Sequence, residues 1–115
     1  MNLAYLIEEK LKQLPRNATL IEGEAKGVDS IARDFWINQK RRYLEPYWAD
    51  WAEHGNAAGV IRNQRMLDEG KPDLVICFFT NWATSRGTRD MWNRAKKAGV
   101  RVVAYQLEGD KLEVL

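Results

Sequence analysis

PDLVICFFTNWATSRGTRDMWNRAKKAG, Pro72 to Gly99, is the stretch whose reading decides the fold. It opens on a continuous apolar run, Leu74 to Phe79, the pattern of a strand covered on both faces. Thr80 to Ser85 is small and polar, which marks a loop. Beyond it, Met91, Trp92, Ala95 and Ala98 share one helical face, and Gly99 closes the segment. Buried strand, loop and helix in that order make a ligand site at the carboxyl end of a parallel sheet. Ser85-Arg86-Gly87-Thr88 is the turn against which such a ligand would lie.

Upstream of this stretch, a helix runs from about Gly59 to Glu69 and stops at Gly70 and Pro72. Before it, WADWAEHGNAA (Trp48 to Ala58) reads as a loop with aromatic anchors. Tyr43 to Tyr47 is a further extended element, confined to an edge or a strand end by Pro46. Ile31, Ala32, Phe35 and Trp36 form the inner face of a helix from about Val28 to Lys40. Ala18 to Glu22 is a short buried strand, and Gly23 to Gly27 is the tight turn between them. At the start, Leu3, Leu6, Ile7, Leu11 and Leu14 lie on one helical face, with Asn2 able to cap. Glu8 and Lys12 are placed for an i,i+4 pair. Downstream, Arg101 to Tyr105 is a strand, Glu108-Gly109-Asp110 a turn and Lys111 to Leu115 a short final strand. Strands alternate with helices, so the class is α/β with a mainly parallel sheet in one domain.

Composition narrows the function. With 45% apolar residues, the 115-residue chain should bury about 65% of the surface it exposes when unfolded. No apolar run is long enough to span a membrane, and the N-terminus lacks a signal-peptide layout. The single cysteine, Cys77, lies in the apolar strand as a small core residue. It allows no disulfide within the chain and fits a reducing cytoplasm. A net charge of +2 gives little support for nucleic-acid binding. His54 has no second histidine or cysteine partner, so no metal or other cofactor is expected. Lys40-Arg41-Arg42 reads as a solvated helix end.

Two loops, Gly23 to Gly27 and Thr80 to Thr88, follow strands and open helices. In a parallel sheet they emerge at the same edge, where helix N-termini offer free N–H groups and a positive dipole end. Glycine there lets a ligand approach the backbone, or simply makes a tight turn. Asp29, in the first turn of its helix, complements the dipole. Arg62 matches a phosphate bidentately or lies on a solvated face, and Arg86 and Arg89 carry the same two readings. Trp48, Asp50 and Trp51 cover a ring ligand or pin their loop to the core.

These segments resemble a known family. EGEAKGVDSIA is similar to its G-G-A-x-G-x-D-x-x-A segment, ADWAEHGNAAGVIRNQRM to its A-D-W…G-x-x-A-G-x-x-R-N-x-x-M segment, and PDLVICFFTNWATSRGTRDMWNRAKKAGVRVV to its D-x-V-I-A-F…S-x-G-T-x-x-M…A-x-x-x-G-x-x-V segment. The family is the short, largely uncharacterised bacterial and phage branch of the SLOG superfamily, the DprA-like and LOG-like Rossmannoid proteins. The resemblance covers roughly residues 19 to 105. It implies a Rossmann-like three-layer domain, a mainly parallel sheet of four to five strands, and a pocket for a nucleotide-derived ligand. It points to Gly23, Ala25, Gly27 and Asp29 in the first loop, to the pair Arg62 and Asn63, and to Ser85, Gly87 and Thr88 in the second. Family members usually begin with a strand and a glycine-serine-arginine loop; this chain begins at the following helix. A truncated sheet is therefore expected, with an antiparallel hairpin of Arg101 to Tyr105 and Lys111 to Leu115 at its end. Glu24 stands where the family commonly has glycine. The LOG enzymes carry a glutamate where this chain has Met91, which cannot act as acid, base or charge stabiliser.

The expected function is binding of a nucleotide-derived or other phosphorylated ligand, without chemistry of its own. Arg62, Ser85, Arg86, Gly87 and Thr88 would hold the phosphate, and the Trp48 to Trp51 loop would close over the rest. One alternative is a nucleotide N-glycosidic or phosphoester hydrolase using Glu22, Glu24, Asp29 or Asp90. Another is a truncated relative acting as an oligomeric interaction or inhibitory protein, since a lost central strand exposes edges that invite pairing. A homo-oligomer is expected on the same ground, and single-stranded DNA is the least supported partner.

Overall fold

A computed structural model describes residues 3–108 and 111–114. Leu3–Leu11 is α1, with Ile7 and Leu11 buried one helical turn apart. Thr19–Glu22 is β1 and Val28–Asn38 is α2, which buries Ala32 and Trp36. Tyr43–Pro46 is β2. The Trp-rich segment is more ordered than its loop-like composition suggests: Trp51–His54 forms a short helix, α3, followed by a 3-10 turn at Gly55–Ala57. The Asp50 carboxylate caps α3 by accepting from the Glu53 N–H at 3.1 Å. Ala58–Gly70 is α4, Leu74–Phe79 is β3 and Arg86–Lys97 is α5. Arg101–Glu108 is β4 and Lys111–Val114 is β5. The proposed Asn2 cap and residues Gly109, Asp110 and Leu115 of the final turn and strand lie outside the described residues.

β1 pairs in parallel with β2, from Thr19 opposite Tyr43 to Glu22 opposite Pro46. β3 pairs in parallel with β4, from Leu74 opposite Arg101 to Phe79 opposite Gln106. β5 returns antiparallel along β4, the hairpin expected at the end of the chain. The class is therefore mixed α/β with short parallel strands. The strands form two ladders, however, in the orders β1-β2 and β3-β4-β5, and not one sheet of four to five strands. Among the described residues no strand lies between β1 and β3 to join them.

One core nevertheless spans both ladders. Leu6, Ile7 and Leu11 of α1 and Ala32 and Trp36 of α2 cluster with Phe78 of β3 and Leu107 of β4; Leu20, Leu44 and Ile76 pack against them. On the other face of β3, Cys77 and Phe79 join Ala104 and pack with Val75, Trp82 and Trp92. Successive β3 side chains thus enter opposite cores, as its unbroken apolar run requires. Trp82 meets Trp92 edge-on at 5.7 Å between ring centroids, which fixes the loop before α5. Ala95 is fully buried, whereas Ala98 follows the last turn of α5 and is exposed.

Two charged residues depart from expectation. Lys12 pairs with Glu9, at 2.9 Å, and not with Glu8. Arg41 is not a solvated helix end. Its guanidinium donates to the carbonyls of Leu14 and Pro15 at 2.9 and 2.8 Å and lies 4.4 Å from the Trp36 ring. It thereby holds the chain after α1 against the end of α2. A cation at the carbonyl-rich end of a helix also suits the dipole.

Candidate functional site

The Gly23–Gly27 loop folds onto its own carboxylates. The Asp29 side chain accepts from the N–H groups of Gly23 and Ala25 at 3.0 and 3.3 Å. Glu22 accepts from the N–H of Glu24 at 2.6 Å. The amides that would cradle an anion are thus already engaged by acids of this chain. Asp29 thus ties down the loop backbone, which is a fuller role than complementing the dipole. Gly27 caps α2 at φ 88°, a backbone conformation that glycine adopts without strain. Glu24 also has positive φ, 55°, and its carboxylate pairs with Arg33 at 2.6 Å.

Glu22 is the unusual member of this loop. It is only 3% exposed, and one carboxyl oxygen, Oε1, has no hydrogen-bond partner among the described residues. Burial pushes its carboxyl up to about 8, with further contributions from the adjoining Glu24 carboxyl and from Asp29. The side chain is therefore mostly protonated at neutral pH.

The second turn is differently arranged. Ser85 precedes α5 but does not cap it with its side chain; its Oγ donates to the Asn81 carbonyl at 2.7 Å. The first amides of α5 have no intrahelical acceptor. Arg86 is exposed and Gly87 has open space where a Cβ would stand. Thr88 is half-buried. Arg86 makes no ion pair, and the Arg89 Nε is buried without a partner among the described residues. Positive charge and free donors therefore collect here, in contrast to the first loop.

Helix α4 joins the two loops through adjacent residues. Arg62 donates through Nη1 to the Gly23 carbonyl and through Nε to Asn63 Oδ1, the latter at 3.1 Å. Asn63, buried, donates to the Gly87 carbonyl at 3.4 Å and to Asp90 at 3.0 Å. Asp90 is held in turn by Arg94 at 2.8 Å, and Arg94 also donates to Gln64 at 2.9 Å. Arg62 and Asn63, both expected to touch a ligand, thus form a clasp between the loops. The Asp90–Arg94–Gln64 extension carried no signal in sequence beyond helical i,i+4 spacing.

Trp51 stands beside this clasp. Its ring lies 3.6 Å from the position a Cβ on Gly59 would take, and Arg62 Nη2 lies 3.9 Å from the same point. Trp48 and Trp51 are 66% and 60% exposed, so the reading of them as anchors in the core fails. Tyr47, which is buried, supplies that anchor. His54 is exposed beside Glu53, and no cluster of described residues could hold a metal ion. Cys77 is inert as a nucleophile, since burial pushes its thiol up to about 11.

The structure brings Gly23, Ala25 and Asp29 together with Arg62, and Asn63 with Gly87. It leaves Gly27 and Arg86 facing outward. A groove of about 390 Å³ between α1 and α2 is lined by Glu8, Ile31, Asp34 and Phe35, and one of about 280 Å³ by Gln64, Arg94 and Lys97. Neither reaches the Ser85–Thr88 turn, which is an open surface site. No described helix is long and apolar enough to cross a membrane.

Compared with known proteins, the chain is 34% identical over 110 residues to the Gene 61 protein of Mycobacterium phage D29, covering 91% of this chain and 82% of that protein. No family profile matches. No solved structure matches.

Proposed function

For a chain that belongs to the family of the phage Gene 61 protein, we propose binding of a phosphorylated, nucleotide-derived small molecule at the N-terminal end of α5, with no chemistry of its own. The observation that carries this reading is the state of the two loops. The first has satisfied its amides with Asp29 and Glu22, while the second leaves the start of α5 without a side-chain cap, beside Arg86, which has no ion pair among the described residues. An anion at a helix N-terminus gains from both free donors and the dipole. The proposal includes kinship with the short SLOG branch. In its support, the three motif segments meet at one place, through Arg62 and Asn63. Trp51 would supply the ring surface for the nucleoside part.

The absence of chemistry rests on where the carboxylates go. Asp29 is committed to two amides, Glu24 to Arg33, and Asp90 to Asn63 and Arg94, while Glu22 is buried and accepts from the Glu24 N–H, which leaves no carboxylate open as a base. A hydrolytic site needs an acid and a base free to face the same ligand. A thermal-shift screen of ADP-ribose, NAD, mono- and cyclic nucleotides and inorganic phosphate tests the reading. We expect at least one compound to raise Tm, and Arg86→Glu to remove the rise while leaving the unliganded Tm unchanged. A screen in which nothing shifts Tm, or in which Arg86→Glu shifts equally, overturns it.

A further inference from the structure

Charge is unevenly spread along this chain. Residues 86–101 carry six of the 18 basic residues and one of the 16 acidic ones, so that stretch has a net charge of +5. The other 99 residues carry twelve basic and fifteen acidic side chains, a net −3. The overall +2 therefore hides a basic segment on an acidic body. Most of that segment is α5, whose 12 residues run for about 18 Å. Arg86, Arg89, Asn93, Lys96 and Lys97 recur at helical spacing and share one face. Arg86, Asn93, Lys96 and Lys97 are exposed and Arg89 is half-buried. The opposite face is turned to the core, through Ala95 and through Trp92 against Trp82.

This stripe is uncompensated within the chain. Arg33, Arg65 and Arg94 each meet a carboxylate at 2.6–2.8 Å, whereas Arg86, Arg89, Lys96 and Lys97 have no ion pair among the described residues. Asp90, the one acid on α5, is held by Asn63 and Arg94. Helix stability does not account for the arrangement. Cations suit the last turn, where Lys96 and Lys97 stand, but Arg86 and Arg89 in the first turn oppose the dipole, and no acid offsets them there. Their like charges three residues apart also repel. An external row of anions would relieve both costs. The groove lined by Gln64, Arg94 and Lys97 extends the basic surface towards α4.

We propose that the outer face of α5 lies along the phosphate backbone of duplex DNA, with Arg86, Arg89, Lys96 and Lys97 each meeting a phosphate and no base being read. A stripe of about 18 Å spans about five steps of a strand whose phosphates advance roughly 3.4 Å each along the axis. The acidic remainder of the molecule is repelled by the same backbone, which turns α5 towards it. An anionic membrane is the poorer partner. A helix that lies in a lipid surface needs an apolar face to insert, and that face of α5 is packed inside the protein. A single strand is poorer too, because it is held by stacking its bases on rings, and none of the exposed large apolar side chains is on α5. Arg86 is shared with the small ligand proposed at the start of α5, but the duplex contact does not depend on that ligand.

The test is fluorescence anisotropy of a labelled, mixed-sequence duplex of about 20 base pairs with the full chain, over a range of salt concentrations. Four phosphate contacts predict saturable binding whose log Kd rises with log salt at a slope of about 3 to 4. Lys96→Gln and Lys97→Gln together should lower that slope by about two and weaken binding at low salt roughly tenfold or more. Lys26→Gln with Lys40→Gln removes the same number of charges from exposed positions elsewhere and should leave the slope unchanged. All four lysines are exposed, so both double variants should keep the parent's Tm. Arg86 stays intact throughout, which keeps this readout apart from the small-ligand screen. Four results overturn the proposal: no saturable binding at low salt, a slope that both double variants lower equally, tighter binding of the corresponding single strand, or comparable binding to phosphatidylserine vesicles.

Discussion

Gly23 lacks a side chain for a steric reason. A Cβ there would stand 2.7–2.9 Å from Nη1, Cζ and Cδ of Arg62, so the guanidinium reaches the Gly23 carbonyl only because nothing projects. Gly23→Ala should push the arm away and cost about 1–3 kcal/mol, the range for losing a charged hydrogen bond. In an Arg62→Ala background the same change should be nearly neutral, since the obstacle is gone. Urea denaturation of the four proteins measures this coupling, and additive costs would contradict it. Glu22 makes a prediction of a different kind. Its folded pKa of about 8 lies above the ordinary carboxyl value of 4.5. Between those values the folded state holds a proton that the unfolded state has released. Stability should therefore fall as pH rises through this window, and the loss should be complete above about pH 8. Glu22→Gln keeps the shape without the titration. Its Tm should decline less than the parent's between pH 5 and about 9, and parallel profiles would refute the buried-acid assignment.

At the scale of elements, α4 is the part that unites the candidate site, because Arg62 holds one loop and Asn63 the other. Asn63→Ala removes three bonds from a buried position and frees the start of α5. It should cost about 1–3 kcal/mol and raise amide exchange at Arg86–Thr88, whereas an exposed α4 residue such as Asp68 should tolerate alanine. Much of this element-level plan could be read from sequence. The apolar run gave β3, the spacing of Ile31, Ala32, Phe35 and Trp36 gave α2, and the Arg62–Asn63 pair stood out before its partners were known. What periodicity does not encode is the choice among partners. Asp29 could complement a helix dipole or fold back onto Gly23 and Ala25, and both begin from the same position in the chain. Arg41 looked solvated because the carbonyls it reaches lie 26 and 27 residues away. Trp48 and Trp51 looked like anchors because aromatic content reports burial only on average.

For the whole molecule, the question is how two ladders without a shared backbone bond behave as one body. Strand alternation in the sequence predicts parallel pairing within each βαβ unit, but no local pattern says that β1 and β3 must touch, and they do not pair. Side chains supply the continuity. Ile7 of α1 is 1% exposed and sits in the cluster that takes Leu20 and Leu44 from one ladder and Ile76 and Phe78 from the other. Removing it should therefore loosen both. Ile7→Ala is expected to cost about 2–5 kcal/mol, as buried isoleucine truncations do. Its effect on amide exchange separates two pictures. If the shared core couples the ladders, protection should drop in β1-β2 and in β3-β4 together, and unfolding should stay cooperative. If each ladder stood on its own helices, protection would fall in only one, and two transitions would appear in urea. Loss confined to one ladder would mean that the interval between β1 and β3 divides the molecule energetically as well as in its hydrogen bonding.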